Sequence, residues 1–268
     1  MKLAVMSGTG NLFALFDAFD QGLPADAPEL ARRVCPSHRP DLDGLLVLAP
    51  SDSGADCRMV IYNADGSRPE SCGNGLRCVA RVAVEGGYSQ GDALTIDTDC
   101  GMRRARVLRD STGKITGATV AMGPARILAP SESIRASWGA IEVTRVDVGN
   151  PHCVVFVDDL EATPVDKWGP ELERRTPEGA NVEFVTVAED HLGMRVWERG
   201  VGETAACGTG ACAAALAAES RGLVELPTEV ALIGGSLYIG RDSRGELTQS
   251  GACEEIGVLE SPSVGAGS

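Results

Sequence analysis

The sequence predicts an α+β protein made of two related halves, each a mostly β layer wrapped around one buried helix. Three observations predict it. Most of the chain reads as short β-branched or aromatic runs, punctuated by Gly, Asp, Asn and Ser turns. Two stretches interrupt that pattern with nearly all-round apolar content, the mark of a buried helix. Finally, the landmarks around those two helices recur about half the 268-residue chain apart.

The strands are clearest at Cys57 to Tyr62, Ala140 to Val146 and Met194 to Trp197, where β-branched and aromatic residues partly alternate with polar ones. The first helix runs from about Gly73 through Leu76, Val79, Ala80, Val82, Ala83 and Val84 and stops at Gly86-Gly87. The second runs from about Gly208 through Ala211 to Ala218 and stops before Gly222. Glycine commonly ends helices. A weaker third helix is expected between Val165 and Arg174.

The doubling lies in the landmarks. Cys72-Gly73-Asn74-Gly75 opens the first helix and Cys207-Gly208-Thr209-Gly210 the second. Upstream, Gly10-Asn11 and Gly149-Asn150 each follow an apolar strand, and Asn63 and Glu198 stand at the same offset before their cysteines. Three matches in the same order indicate two related halves rather than a solenoid array, with the boundary between Ala118 and Pro124. The tail from Pro262 to Ser268 is Gly/Ser-rich and reads as disordered.

Composition excludes several classes. The net charge of -14 without a basic cluster argues against nucleic acid. No apolar run reaches the ~18 residues of a membrane span, and the N-terminal apolar run breaks at Ser7-Gly8-Thr9-Gly10-Asn11, too early for a secretion signal. Nine scattered cysteines do not make a disulfide framework. With no Cys-x-x-Cys and only His38, His152 and His191 as histidines, no zinc ligand pattern forms. The expectation is a reduced, cytoplasmic, metal-free protein.

A helix N-terminus exposes unpartnered N–H groups and partial positive charge, and glycines let a ligand approach them. A carboxylate is the natural guest, and a cysteine there has its thiolate favoured. Doubled, the device would grip one carboxylate and set a sulfur on each side of the neighbouring carbon. That suits inversion at the α-carbon of an amino acid: one thiolate removes the proton while the opposite thiol delivers another. The carbanionic transition state would be stabilised by the N–H cradle in a dry site. Lysine is sparse near both motifs, so a pyridoxal-type Schiff base is disfavoured and no cofactor is expected. Most free cysteines are small buried hydrophobes, the reading kept for Cys35, Cys57, Cys78, Cys100, Cys153, Cys212 and Cys253. Asn11, Asn63, Asn150 and Asn181 gain weight only as a group able to donate and accept hydrogen bonds. His152, directly after Gly149-Asn150-Pro151, is a candidate site residue or a satisfied structural histidine.

These residues resemble the diaminopimelate epimerase family. Asn63-Ala64-Asp65-Gly66-Ser67 followed by Glu70-Ser71-Cys72-Gly73-Asn74-Gly75-Leu76-Arg77-Cys78 is similar to its first cysteine block. Gly149-Asn150-Pro151-His152-Cys153-Val154 and Asn181-Val182-Glu183-Phe184 are similar to its middle motifs, and Trp197-Glu198-Arg199-Gly200 through Ala206-Cys207-Gly208-Thr209-Gly210 to its second block. Gly234-Gly235-Ser236-Leu237-Tyr238-Ile239 and Ser250-Gly251 agree as well. The resemblance implies two pseudo-symmetric β-barrel-like domains, each wrapped around a central helix. These are residues 1–119, with a final strand at about 253–262 returning to them, and residues 120–252, followed by the tail 263–268. It implies epimerisation of LL- to meso-diaminopimelate in lysine and peptidoglycan-precursor synthesis, by a homodimer without cofactor. It implies Cys72 and Cys207 as the acid/base pair, with His152 and Glu198 supporting catalysis. Gly73-Asn74 and Gly208-Thr209 would form the carboxylate cradle, and Asn11, Asn63, Asn150, Asn181, Glu198 and Arg199 would hold the ammonium groups and the distal carboxylate. Arg199 offers a planar fork for a carboxylate and Glu198 a countercharge for an ammonium.

Two segments depart from the family pattern. Where the family has His-Gly-x-Gly-Asn-Asp-Phe this chain has Ser7-Gly8-Thr9-Gly10-Asn11-Leu12-Phe13, and before Asp43-Gly44 a Gly-rich run is replaced by His38 to Leu42. They leave open another cofactor-independent amino-acid racemase with a different substrate. A third reading, an amino-acid- or metal-binding module, needs no paired acid/base sulfurs.

Overall fold

The computed structural model describes residues 1–38, 41–69, 72–176 and 178–260. The expected tail of residues 263–268, residues 39–40 of the departing loop and residues 70–71 of the first cysteine block lie outside the described residues. The chain divides into two compact units, Met1–Val120 with the stretch from Ala252 onward, and Ala121–Gly251. Both are α+β and rich in sheet.

The first unit begins with β1 (Lys2–Gly8) and β2 (Asn11–Asp17), an antiparallel pair joined by a two-residue turn. The helices α1 (Ala18–Gln21) and α2 (Ala27–His38) cross over to β3 (Gly44–Ala49), which lies parallel to β2. The strand β4 (Cys57–Asn63) returns antiparallel, and α3 (Gly73–Glu85) is the second crossover, to β5 (Ala93–Asp97) parallel to β4. The antiparallel strands β6 (Arg103–Arg109) and β7 (Ile115–Gly123) follow.

In the second unit β8 (Arg126–Ala136) and β9 (Gly139–Asp147) form a long hairpin, and β10 (Pro151–Phe156) pairs antiparallel to β9. The helix α4 (Val165–Arg175) crosses to β11 (Asn181–Val187), parallel to β10. Then β12 (His191–Glu198) returns antiparallel, the short β13 (Gly202–Thr204) folds back on it, and α5 (Gly208–Ser220) crosses to β14 (Thr228–Leu232), parallel to β12. The strands β15 (Gly235–Arg241) and β16 (Leu247–Ala252) complete it antiparallel. The last strand, β17 (Glu254–Glu260), belongs to the first unit and pairs antiparallel with β1.

Each unit therefore has the same order of pairings: antiparallel hairpin, helical crossover to a parallel neighbour, antiparallel return, second crossover, two antiparallel strands. The doubling of landmarks is a doubling of this pattern. Asn11 opens β2 and Asn150 immediately precedes β10, the strands before the first crossover. Asn63 and Glu198 end the strands before the second, and Cys72 and Cys207 open the second helix.

The core explains the scarcity of aromatics. In α5 every residue from Gly208 to Ala218 is buried, and most are alanine, so strands pack close around a thin helix. α3 is buried over Gly73–Ala80 and at Ala83. The helix α2 lays Leu30, Ala31 and Val34 against Leu45 and Val47 of β3. α4 buries Val165 and Leu172 against Val182 and Phe184, with Trp138 stacked on Trp168 at 4.7 Å. Six of the seven cysteines read as buried hydrophobes are so, but Cys100 is exposed, because it lies in the turn between β5 and β6 rather than on a strand face.

Candidate active site

Both motif cysteines cap helices. Cys72 takes an extended conformation (φ -149°, ψ 94°) as the N-cap of α3, and its Sγ accepts the Gly75 N–H at 3.2 Å. Cys207 does the same for α5 (φ -130°, ψ 111°), with its Sγ accepting from Gly210 at 3.4 Å. The sulfur takes the place of the usual capping oxygen and leaves the earlier N–H groups of the first turn, at Gly73-Asn74 and Gly208-Thr209, without an intrahelical partner. The glycines are required by close approach. A Cβ on Gly210 would lie 2.8 Å from the Glu183 carboxylate, and one on Gly208 would lie 2.3 Å from the Gln249 amide.

In the first unit the mouth of α3 is tied to the β1–β2 turn. The Asn74 side chain, 2% exposed, donates to Asn11 Oδ1 at 2.6 Å. One turn along α3, the fully buried Arg77 donates from Nη2 to Thr9 Oγ1 at 2.7 Å. Thr9 has a positive φ of 48°, unusual for a β-branched residue, and the arginine bond helps hold that strained turn. The next residues are anchored too: Leu12 N–H donates to the Asp43 carboxylate at 2.7 Å. Asn63, at the end of β4, spends its side chain on Ser67 Oγ at 2.9 Å, within its own turn. Cys72 opens onto a pocket shared with Met59, Leu76, Asp99, Cys100 and Arg103.

The second unit holds a denser network. The Thr204 hydroxyl donates to Glu198 Oε1 at 2.5 Å. Burial raises the Glu198 carboxyl above its ordinary range, opposed in part by the bonds from Thr204 and the Cys207 thiol. Burial first, then the charges of Glu198 and Glu183, push the Cys207 thiol well above the usual value, and the bonds from Thr209 and Gly210 do not offset them. The helix mouth does pull toward the thiolate, through the Gly210 N–H, but burial and the two carboxylates outweigh it at Cys207. His152 is fully buried on β10, its Nδ1 2.6 Å from Glu183 Oε1 and its Nε2 3.0 Å from Asn150 Oδ1. Asn150 in turn reaches Thr209 Oγ1 at 3.5 Å, and Thr209 Oγ1 lies 3.5 Å from Cys207 Sγ. Asn181 accepts the Arg199 N–H at 2.9 Å, while the Arg199 guanidinium donates to the Glu178 carbonyl at 3.2 Å.

Within the first unit, then, Cys72, Gly73, Asn74 and Asn11 come together, and Asn63 bonds Ser67 within its own turn. Within the second, Cys207, Gly208, Thr209, Glu198, His152 and Asn150 form one network beside the Asn181–Arg199 pair. Sequence reasoning missed Glu183, Thr204, Arg77 and Thr9. For Glu183 a signal existed: it is the one charge in the run Asn181-Val182-Glu183-Phe184-Val185, all of it buried.

The sequence profile described as diaminopimelate epimerase matches residues 3–128 and 144–253. A diaminopimelate epimerase of Moorella thermoacetica is 43% identical over 89% of this chain and 91% of its own length. That of Desulfitobacterium hafniense is 40% identical over 97% and 98%. Among solved structures, a Bacillus anthracis phenazine biosynthesis protein of the PhzF family superposes with a TM-score of 0.76 at 15% identity, covering 98% of this chain and 99% of that one. A probable proline racemase from Agrobacterium radiobacter superposes at 0.73 and 19% identity, covering 97% and 92%. At such identities these two report the fold alone.

Proposed function

Because this chain belongs to the diaminopimelate epimerase family, it is an isomerase, and we propose that it interconverts LL- and meso-diaminopimelate with Cys72 and Cys207 as its acid–base pair. The observation that carries the reading is the paired cap: each cysteine opens a buried helix, and each sulfur accepts the N–H of the third residue on. One sulfur, as thiolate, takes the α-proton, and the other, as thiol, returns a proton to the opposite face. The tuning of Cys207 supports its entering one half of the cycle as the thiol, with Glu198 as its hydrogen-bond partner. The reverse half requires the opposite protonation of the pair, so activity follows a bell-shaped pH profile owned by the pair.

The α-proton is a very weak acid, and the developing negative charge spreads onto the substrate carboxylate. The first-turn N–H groups of Gly73-Asn74 and Gly208-Thr209 are fixed donors for that charge and cost no reorganisation during reaction. Asn11, Asn63, Asn150, Asn181 and Arg199 would grip the ammonium groups and the distal carboxylate, with Arg199 as the bidentate fork. No electron-sink cofactor enters this scheme. The chain's lysines, Lys2, Lys114 and Lys167, are all remote in sequence from the cysteine motifs, which supports the cofactor-free reading. On the family resemblance, the enzyme is further proposed to work in the cytoplasm as a homodimer, which light scattering would register as twice the chain mass.

The test is a substrate panel resolved by chiral chromatography. Purified enzyme should convert LL-diaminopimelate to the meso form and leave amino acids lacking a second polar end unchanged. Turnover of such amino acids without turnover of diaminopimelate would replace the substrate while keeping the chemistry.

A further inference from the structure

Glu183 is a fully buried carboxylate that the acid–base scheme above does not use. Its Oε1 lies 2.6 Å from His152 Nδ1, while its Oε2 has no hydrogen-bond partner among the described residues. The two residues meet because β10 and β11 are parallel neighbours with His152 opposite Asn181, so Glu183, two residues on, points to the same face. Its ion-pair partner is His152, and the ionisable groups near it include Glu198 on β12, Cys207 at the α5 mouth and Cys153 on β10. An isolated buried carboxylate with one oxygen unpaired is costly and must be compensated. The group in position to compensate it is the His152 ring, 2.6 Å away.

The other ring nitrogen constrains how. Nε2 faces Asn150 Oδ1 at 3.0 Å, and two lone pairs cannot face each other at that distance, so Nε2 carries a proton. If Nδ1 is also protonated, the pair is imidazolium and carboxylate. If the proton of the 2.6 Å bond sits on Glu183, the pair is neutral acid and neutral imidazole. Both descriptions contain the same two protons and no net charge, and in both His152 is an Nε2–H donor. Asn150 Oδ1 is then committed to His152, and its NH2 group is turned toward Thr209 Oγ1 at the α5 mouth.

We propose that Glu183 is a positioning residue that holds a second proton on the Glu183–His152 pair, fixing His152 as an Nε2–H donor and thereby aiming the Asn150 amide N–H groups into the substrate cradle. The proposal rests on the epimerase reading for what Asn150 binds, but not for the proton count. A buried carboxylate is thus retained to set the orientation of an amide that could otherwise flip.

The experiment has two arms. In the first, NMR of 15N-histidine-labelled wild-type protein, with His152 assigned by comparison with His152→Gln, reads the ring without substrate. Nε2 should bear a proton throughout the pH range of activity, and the short Nδ1 bond should give a far-downfield proton signal. An unprotonated Nε2 overturns the proposal whatever the substrate proves to be. In the second arm Glu183→Gln replaces the carboxylate by an amide that can donate to or accept from Nδ1, which releases Asn150 from its single orientation. The downfield signal should disappear and KM for diaminopimelate should rise about tenfold with a smaller fall in kcat. In an Asn150→Ala background the same change should have little further effect on KM, because Glu183 acts through Asn150. An unchanged KM and ring spectrum, or a full additive loss in that background, overturns it. If Glu183→Gln does not fold, the wild-type spectrum still decides.

Discussion

At Cys207 two physical effects oppose each other, and their sizes decide the outcome. A helix N-terminus favours the thiolate by roughly 0.3–1 kcal/mol, up to about 2 when partly buried. Removal from water can shift an ionisable group by several pKa units at about 1.4 kcal/mol each, and here two carboxylates add to it. Burial outweighs the dipole, and the thiol form of Cys207 is favoured. Iodoacetamide labelling followed by mass spectrometry should therefore find Cys207 slow at pH 8 and faster only well above pH 9. Glu198→Gln, which removes the largest charge acting on it, should speed labelling at pH 8. Equal rates in the two proteins would contradict the electrostatic account. Thr9 illustrates a different balance, a strained β-branched residue whose hydroxyl accepts a hydrogen bond from buried Arg77. Thr9→Val keeps the shape and removes the acceptor, and should cost about 1–3 kcal/mol in denaturant unfolding. A value near zero would show that Arg77 does not need Thr9. None of this could be seen in the sequence, because Arg77 and Thr9 are 68 positions apart and only the packing of α3 on β1 brings them together.

The helices show which features of an element can be read in advance. α3 and α5 follow from apolar content and terminal glycines, α4 only as a weaker helix between Val165 and Arg174, and the strands through Cys57, Ile141 and Met194 from β-branched alternation. α1 and α2 were not anticipated, although α2 carries a start signal in Asp26-Ala27-Pro28-Glu29. Asp26 Oδ1 accepts the Glu29 N–H at 2.9 Å, the capping arrangement that an acidic residue three positions before a glutamate permits. The glycine-rich mouths, by contrast, were legible as places of close approach but not in what approaches them. At α5 the approaching groups are the Gln249 amide and the Glu183 carboxylate, both from the unit's own strands. Gly208→Ala would force its methyl against fully buried Gln249 and is expected to destabilise by about 1–3 kcal/mol, read by chemical denaturation. An unchanged midpoint would mean that the mouth is loosely packed.

Across the whole molecule the repeated pattern of pairings accounts for the doubled landmarks, and the family's sequence profile covers both halves. No helix among the described residues is long and apolar enough to cross a membrane. The buried cysteines also have a collective consequence. Burial pushes Cys35 and Cys253 to about 11 and Cys57 and Cys153 to about 12, and raises Cys78 and Cys207 as well, against 9.0 for an unperturbed thiol. A raised acid pKa means that the folded state keeps protons that the unfolded chain releases. The stabilisation is complete below pH 9 and is lost as pH rises from 9 through 11 to 12. Unfolding free energy should therefore fall as pH rises over that window. Denaturation curves that match at pH 8 and pH 10 would contradict the burial of these groups. The most direct measurement of the two-cysteine claim is turnover in D2O. Wild-type enzyme given LL-diaminopimelate should form meso product carrying one solvent deuterium at the inverted carbon. Cys72→Ala and Cys207→Ala, each folded, should each lower inversion by roughly 10²–10⁴. Inversion by either variant at a rate near that of the wild type would show that its sulfur is not one of the two groups that move the proton.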